Sequence, residues 1–173
     1  MKLTIIDNVV SKGYQDAIEA DFSSHLFPWY FHDGITQENS DDNSGFSNLV
    51  FEGNYKSDYY AFLYPVLLEA LGKYKKGVSI TKLFRIRAAM FVKNQTSALH
   101  NVPHIDHQYK HYTMLYYVND SDGPTRFFSN EEIVKEVEPK KGRVVLFNGD
   151  TYHASSSPRN HTRRMVINYN FLL

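Results

Sequence analysis

Apolar positions recur along this chain with two periods, and the change from one to the other divides it. Leu3-Thr4-Ile5-Ile6-Asp7-Asn8-Val9-Val10 reads as a short strand ending in a turn, and Ser11 then suits a helix N-cap. Tyr14, Ala17, Ile18 and Phe22 follow at helical spacing, with Lys12, Gln15, Asp16 and Glu19 on the other side. That pattern predicts an amphipathic helix lying on a sheet. Leu26 to Phe31 is an aromatic run broken by Pro28. Proline suits an edge strand or a loop over the core, while Trp29 is a candidate wall of a substrate pocket. Residues 32–48 are polar and predict a long loop, with Gln37 to Gly45 as a candidate lid. A second helix is expected from Ser57-Asp58. It would bury Phe62, Leu63, Val66, Leu67, Ala70 and Leu71, be kinked or delayed by Pro65, and end at Gly72 or Gly77.

Beyond Gly77 the period falls to two. Ser79 to Lys93 reads as one long strand, or two separated by a bulge, with Arg85 and Arg87 on one face. Facing water, these arginines would be unexceptional. Facing into a barrel, they would bind an anion or a polar substrate. Lys110–Val118, Thr125–Phe128, Glu131–Val137, Arg143–Phe147 and Met165–Phe171 read as further strands. Turn clusters such as Asn119-Asp120-Ser121-Asp122-Gly123-Pro124 and Asn148-Gly149-Asp150 separate them. Helices first, then strands joined by tight turns, predict a mainly β fold with N-terminal helices (α+β): a jelly-roll or double-stranded β-helix. The 13 Tyr and 12 Phe agree, because aromatic side chains suit pleated, half-buried surfaces. The 173 residues are expected to form one domain. Residues 1–78 would be its helix-bearing support and 79–173 its β-helix core.

Composition acts mainly by exclusion. Formal net charge is zero, so no global field draws the chain to nucleic acid or to an acidic membrane. There are no cysteines, which rules out disulfides, thiolate zinc sites and cysteine nucleophiles. No apolar run approaches a membrane span, and Met1 to Asp7 has too short an apolar run for a signal peptide. The expected location is the cytoplasm.

The chemistry gathers around His104-Ile105-Asp106. On a strand, His104 and Asp106 point the same way and Ile105 points away. His153, just past the turn after a strong strand, is the candidate third ligand. Two imidazoles and one carboxylate suit a non-haem Fe(II) centre with open coordination positions. His100, His107 and His111 crowd the same stretch as alternatives, and Asp150 is an alternative to His153. His100 and His104 have the spacing of a helical zinc pair, but Pro103 opposes a helix there. Arg163 and Arg164 follow, and on a strand they point to opposite faces. One of them would enter the barrel and hold the far carboxylate of a 2-oxo diacid through its planar fork. Apolar content favours Arg163; a small residue two places on favours Arg164.

Several of these stretches together resemble a known group. They are His104-Ile105-Asp106, Tyr116-Tyr117-Val118-Asn119, Gly142-Arg143-Val144-Val145-Leu146-Phe147, His153 and Arg164-Met165-Val166-Ile167-Asn168-Tyr169-Asn170-Phe171. The resemblance is to the 2-oxoglutarate/Fe(II) oxygenase superfamily, nearest its prolyl-4-hydroxylase-like branch and small phage-encoded oxygenases. It covers Arg87 to the C-terminus. It implies His104, Asp106 and His153 as iron ligands, and Arg164 with Tyr117 as the 2-oxoglutarate carboxylate site. It further implies coupling of 2-oxoglutarate decarboxylation, with dioxygen and supportive ascorbate, to hydroxylation of a substrate such as a prolyl peptide or protein. A phage origin would place the enzyme in the host cytoplasm. Arg85, Arg87 and Trp29 are the candidate substrate contacts. Two other readings stand beside this one: a cupin-like metal enzyme or zinc hydrolase without 2-oxoglutarate, and a non-catalytic β-sandwich binding module.

Overall fold

The computed structural model describes residues 2–35, 43–93 and 98–173. Strand β1 (Leu3–Ile6) leads into helix α1 (Lys12–Ser23), then β2 (Tyr30–His32), β3 (Gly45–Glu52), β4 (Tyr55–Lys56) and helix α2 (Tyr60–Tyr74). The remainder is strand: β5 (Lys82–Val92), β6 (Tyr112–Tyr117), β7 (Thr125–Ser129), β8 (Glu132–Val137), β9 (Val144–Asn148), β10 (His153–Ala154) and β11 (Arg163–Leu172). The main sheet runs β1-β9-β6-β11-β5-β3-β2, with β4 paired to β3, and the minor sheet runs β10-β7-β8. All pairings are antiparallel. This is the expected double-stranded β-helix with helices on one side.

Alternation along the central strands decides what lies in each layer. On β11, Met165, Ile167, Tyr169 and Phe171 join the core beneath the helices. Val166 packs toward the minor sheet with Leu115, Tyr117, Val145 and Phe147. The helices cover the first face. Ser11 caps α1, its Oγ accepting from the Tyr14 amide at 3.3 Å, and Ile18 and Phe22 are buried. Helix α2 buries Leu63, Val66, Leu67, Ala70 and Leu71, each such large side chain contributing roughly 1.5–3 kcal/mol of burial. The Tyr169 hydroxyl donates to the Leu63 carbonyl at 2.9 Å and ties β11 to α2.

Several expectations need correction. Gln15 is buried and Ala17 exposed, because the Gln15 amide donates to the Val10 carbonyl at 2.9 Å and fills the space beside Gly142. Phe62 is only partly buried. Helix α2 starts at Tyr60 and runs through Pro65 and Gly72 to Tyr74. The proline stands in the second turn and removes only one amide from the helical ladder. Within residues 32–48, Gly45–Asn48 belong to β3 instead of a loop. Residues 37–42 of the candidate lid lie outside the described residues. The strand expected from Ser79 starts at Lys82, and the two-residue strands β4 and β10 went unforeseen. β1 to β4 all come from the N-terminal segment, which therefore supplies sheet as well as helices.

Gly142 closes the loop before β9 with φ +76, and a Cβ there would lie 2.3 Å from the Gln15 side chain. Gly142→Ala should therefore destabilise the fold by more than about 1 kcal/mol. Urea unfolding of the variant beside wild type measures the loss.

Candidate metal centre

The polar face of β11 and the strands beside it looks into a cavity of about 230 Å³. Its lining includes His104, Asp106, His153, Arg85, Arg87, Arg164, Thr125 and Asn168. His104 and His153 are held together by the backbone. Each amide donates to the other's carbonyl at 3.0 Å, so His104 extends the minor sheet by one bridge. One ligand atom from each of His104, Asp106 and His153 lies within 4.8 Å of the others. The chain thus brings its three expected ligands to a single point.

The imidazoles are oriented for metal. Nδ1 of His104 lies 3.0 Å from the Val102 carbonyl, and Nδ1 of His153 lies 3.1 Å from the Thr151 carbonyl. A carbonyl only accepts, so each Nδ1 carries the proton and each Nε2 keeps its lone pair for a cation. His153 Nε2 is 3.9 Å from Asp106 Oδ2. Burial pushes the His153 imidazole down to about 4, against the opposing pull of Asp106. The ring is therefore neutral near pH 7, as a metal ligand must be.

Asp106 is the most heavily supported of the three. Its Oδ1 accepts from Arg85 Nη2 and Asn168 Nδ2, both at 3.0 Å. Its Oδ2 accepts from Thr113 Oγ1 and Asn170 Nδ2, both at 2.9 Å. Burial would raise this carboxyl. His153, Arg85, His104 and the Asn168 hydrogen bond outweigh burial and hold it well below the usual carboxylate range. Asn168 and Asn170 come from alternate positions of β11, Thr113 from β6 and Arg85 from β5.

Arg164 lies deeper. It is 1% exposed, and its Nη2 donates to Thr125 Oγ1 at 2.8 Å. The Tyr117 hydroxyl donates to the same Thr125 oxygen at 2.7 Å. The guanidinium carbon sits 5.0 Å from the Phe91 ring and 5.5 Å from the Tyr117 ring. Its Nε and Nη1 have no hydrogen-bond partner among the described residues. Arg163 takes the opposite face, where its Nη2 donates to Ser23 Oγ at 2.8 Å. The apolar side of β11 belongs to the helix-covered core, so apolar content pointed to the arginine that does not line the cavity.

Other candidates fall elsewhere. Trp29 packs against Phe22 and Phe27 on the helix side and donates to the Phe22 carbonyl at 3.1 Å. His107, His111 and Asp150 line a neighbouring hollow, and the His100 ring lies against Phe128. Ile105 also lines the cavity, because the chain after the His104 bridge bends and alternation does not apply. The sequence reading missed Thr113, Thr125, Asn168 and Asn170 as supports. For the two asparagines the signal was present: polar residues alternating with apolar ones on a strand too buried to need them.

A two-sheet barrel with an inward His-Asp-His cluster and a buried arginine defines a non-haem iron oxygenase architecture. Residues 89–172 match the family model of the 2OG-Fe(II) oxygenase superfamily. No curated protein matches it by sequence. Among solved structures it resembles a Trichoplax adhaerens prolyl hydroxylase in complex with a hypoxia-inducible factor peptide (TM-score 0.67, 16% identity, 98% of this chain and 83% of that one). It also resembles the viral collagen prolyl hydroxylase of Paramecium bursaria Chlorella virus-1 in its 2OG complex (TM-score 0.65, 15% identity, 100% and 97%). A third similar fold is an α-ketoglutarate-dependent carbocyclase of nogalamycin biosynthesis (TM-score 0.68, 13% identity, 98% and 78%). The protein is a 2-oxoglutarate-dependent Fe(II) dioxygenase. No described helix is long and apolar enough to cross a membrane.

Loss of a group that orients a metal ligand typically costs 10–100-fold in affinity. Asn168→Ala should weaken Fe(II) binding by about that factor, and His153→Ala should abolish it. Anaerobic Fe(II) titration of the purified variants reads both effects.

Proposed function

We propose that His104, Asp106 and His153 hold the iron, and that Arg164, with Tyr117 and Thr125, receives the far carboxylate of 2-oxoglutarate. One observation carries this reading. Arg164 is a fully buried cation that, among the described residues, has two nitrogens without a hydrogen-bond partner and no ion pair. Desolvating a lone charge costs several kcal/mol. A ligand carboxylate seated against the guanidinium fork offsets that cost. Burial presses on the Arg164 charge, and the opposing pull of Tyr117 and of the Glu138 charge does not outweigh it, as expected of a site completed by its anion. Phe91 and Tyr117 fix the plane of the fork, and Thr125 holds one of its nitrogens. Arg164 lines the same cavity as the proposed metal ligands.

Bound iron with 2-oxoglutarate and dioxygen supplies an oxidation that hydroxylates a substrate C–H and releases succinate and carbon dioxide. The chain's own part is to hold and orient. Thr113, Asn168, Asn170 and Arg85 keep Asp106 ionised and fixed. Val102 and Thr151 set the imidazole tautomers. Leu115, Val166 and Phe91 provide the apolar wall that limits water. A substrate in the prolyl peptide or protein class has support from the likeness to two prolyl hydroxylases. The likeness to a carbocyclase supports a small molecule in the same measure, since one fold hosts many substrates. A cytoplasmic location fits an enzyme that must keep its iron ferrous in a reducing compartment.

Succinate release from 2-oxoglutarate with Fe(II) and ascorbate tests the assignment. Asp106→Ala should abolish it. Arg164→Gln should raise the KM for 2-oxoglutarate by about 10- to 100-fold, the worth of a hydrogen-bonded charge. Melting curves must show the variant folded. Equal turnover in wild type and Asp106→Ala would sink the metal assignment, and an unchanged KM in folded Arg164→Gln would sink the carboxylate site.

A further inference from the structure

Three arginines line the metal cavity, and the site described so far uses two of them. Arg164 awaits the co-substrate, and Arg85 is committed to Asp106 and to Asn170, whose Oδ1 accepts from its Nε at 3.1 Å. Arg87 stands two residues along the same face of β5. Its hydrogen bond among the described residues is a long one, Nη2 to the Ile35 carbonyl at 3.4 Å. It makes no ion pair among the described residues. Burial and the neighbouring Arg85 both oppose its charge; Asp106 and exposed Glu52 are the acids that favour it. Asp106 is already engaged by Arg85. Nothing in the packing of the described residues calls for a cation in this position, where an apolar residue would avoid the cost of desolvation.

Among the described residues, the lining holds Arg85, Arg87 and Arg164 against the one carboxylate of Asp106. The histidines bind metal as neutral rings. Ferrous iron adds two positive charges and the 2-oxoglutarate dianion removes two. The loaded cavity therefore keeps the surplus of the empty one, two positive charges in a partly desolvated space. A neutral substrate leaves that surplus in place, whereas an anion relieves it.

We propose that Arg87 is a specificity-determining residue that receives an oxyanion of the primary substrate, a carboxylate or a phosphate, beside the metal centre. The inference rests on the dioxygenase reading above and adds the charge class of what is oxidised. Arginine suits either anion through two parallel N–H donors. Arg87 and Asp106 line the same cavity, so the anionic group anchors a molecule whose C–H is presented to the metal. Arg85 is a positioning residue for Asp106 and takes no direct part.

Paramagnetic relaxation supplies the test. The protein is loaded with Mn(II) and with N-oxalylglycine, a 2-oxoglutarate mimic that occupies the chelating positions. Acetate and methylphosphonate are then titrated separately, and the relaxation of their methyl protons is followed. In wild type one or both should show saturable enhancement at millimolar concentration, and the one that does identifies the oxyanion. Arg87→Gln should reduce the enhancement at least fivefold. Arg87→Lys, which keeps a point charge without the fork, should fall between. Absence of enhancement in wild type overturns the proposal. So does equal enhancement in Arg87→Gln, which would mean the probe sits on the metal or elsewhere. Failure of N-oxalylglycine to change the water relaxation of the Mn(II) protein would be a failure of the dioxygenase reading instead. The Arg87 comparison is then made on the Mn(II) protein alone, with the same two outcomes deciding it.

Discussion

Charge removed from water has to be answered by a partner, and the inner face of the main sheet is arranged around that requirement. Asp106 lies between two β-sheets with four side chains donating to it from β5, β6 and β11. An ionised carboxylate in such a place would cost several kcal/mol unpaired. Arg85 and the three neutral donors remove that cost before any metal arrives. The strands are thereby locked in register as well. A shift of β11 by one residue would swap Asn168 and Asn170 for Ile167 and Tyr169 and would leave the carboxylate stranded among apolar groups.

The same register sets Arg164. It lies on the face of β11 shared by Val166, Asn168 and Asn170, so one strand supplies both the carboxylate's supports and the buried cation. The two needs differ in kind. Asp106 is satisfied by the protein itself, whereas Arg164 keeps two N–H groups unpaired among the described residues. A site whose acid is satisfied and whose base is not fits the proposed placement of a metal at one end and an anion at the other.

Much of this was legible in the linear chain, for a physical reason. Period-two alternation put Arg85 with Arg87, and Arg164 with Val166, Asn168 and Asn170, before any coordinates. The His-X-Asp spacing with a later histidine picked out, by their chemistry, three side chains that the fold brings together. The choice between Arg163 and Arg164 was harder. Both faces of β11 are buried, and local apolar content does not say which face meets helices and which meets a cavity. Trp29 looked like a pocket wall for a similar reason. An aromatic run says that something is covered, and here it is the core under α1. Gln15 defeats simple amphipathicity, because its amide answers a backbone carbonyl. Residues 45–48 read as loop, yet Gly45, Ser47 and Asn48 are buried there as strand residues. Ser47 Oγ is 2.7 Å from His32 Nε2 and the Asn48 side chain donates to the Pro28 carbonyl at 2.8 Å. Short polar side chains took those places because β2 and the segment before it offer each of them a hydrogen-bond partner.

The arginines of β5 show how far the same logic reaches. Arg85 and Arg87 are equivalent by sequence spacing, and a reading from the chain alone gives them one role. Their partners separate them. Arg85 has a carboxylate at 3.0 Å and an amide oxygen at 3.1 Å, whereas Arg87 has one carbonyl at 3.4 Å. A cation already answered within the protein stabilises the site but does not select a ligand. A half-buried cation without an ion pair among the described residues, beside the proposed reacting centre, does select, because an uncharged competitor must leave it so. Discrimination by a polar group that only one competitor can pair is far steeper than discrimination by apolar fit. On that argument charge, more than shape, decides what this oxygenase accepts.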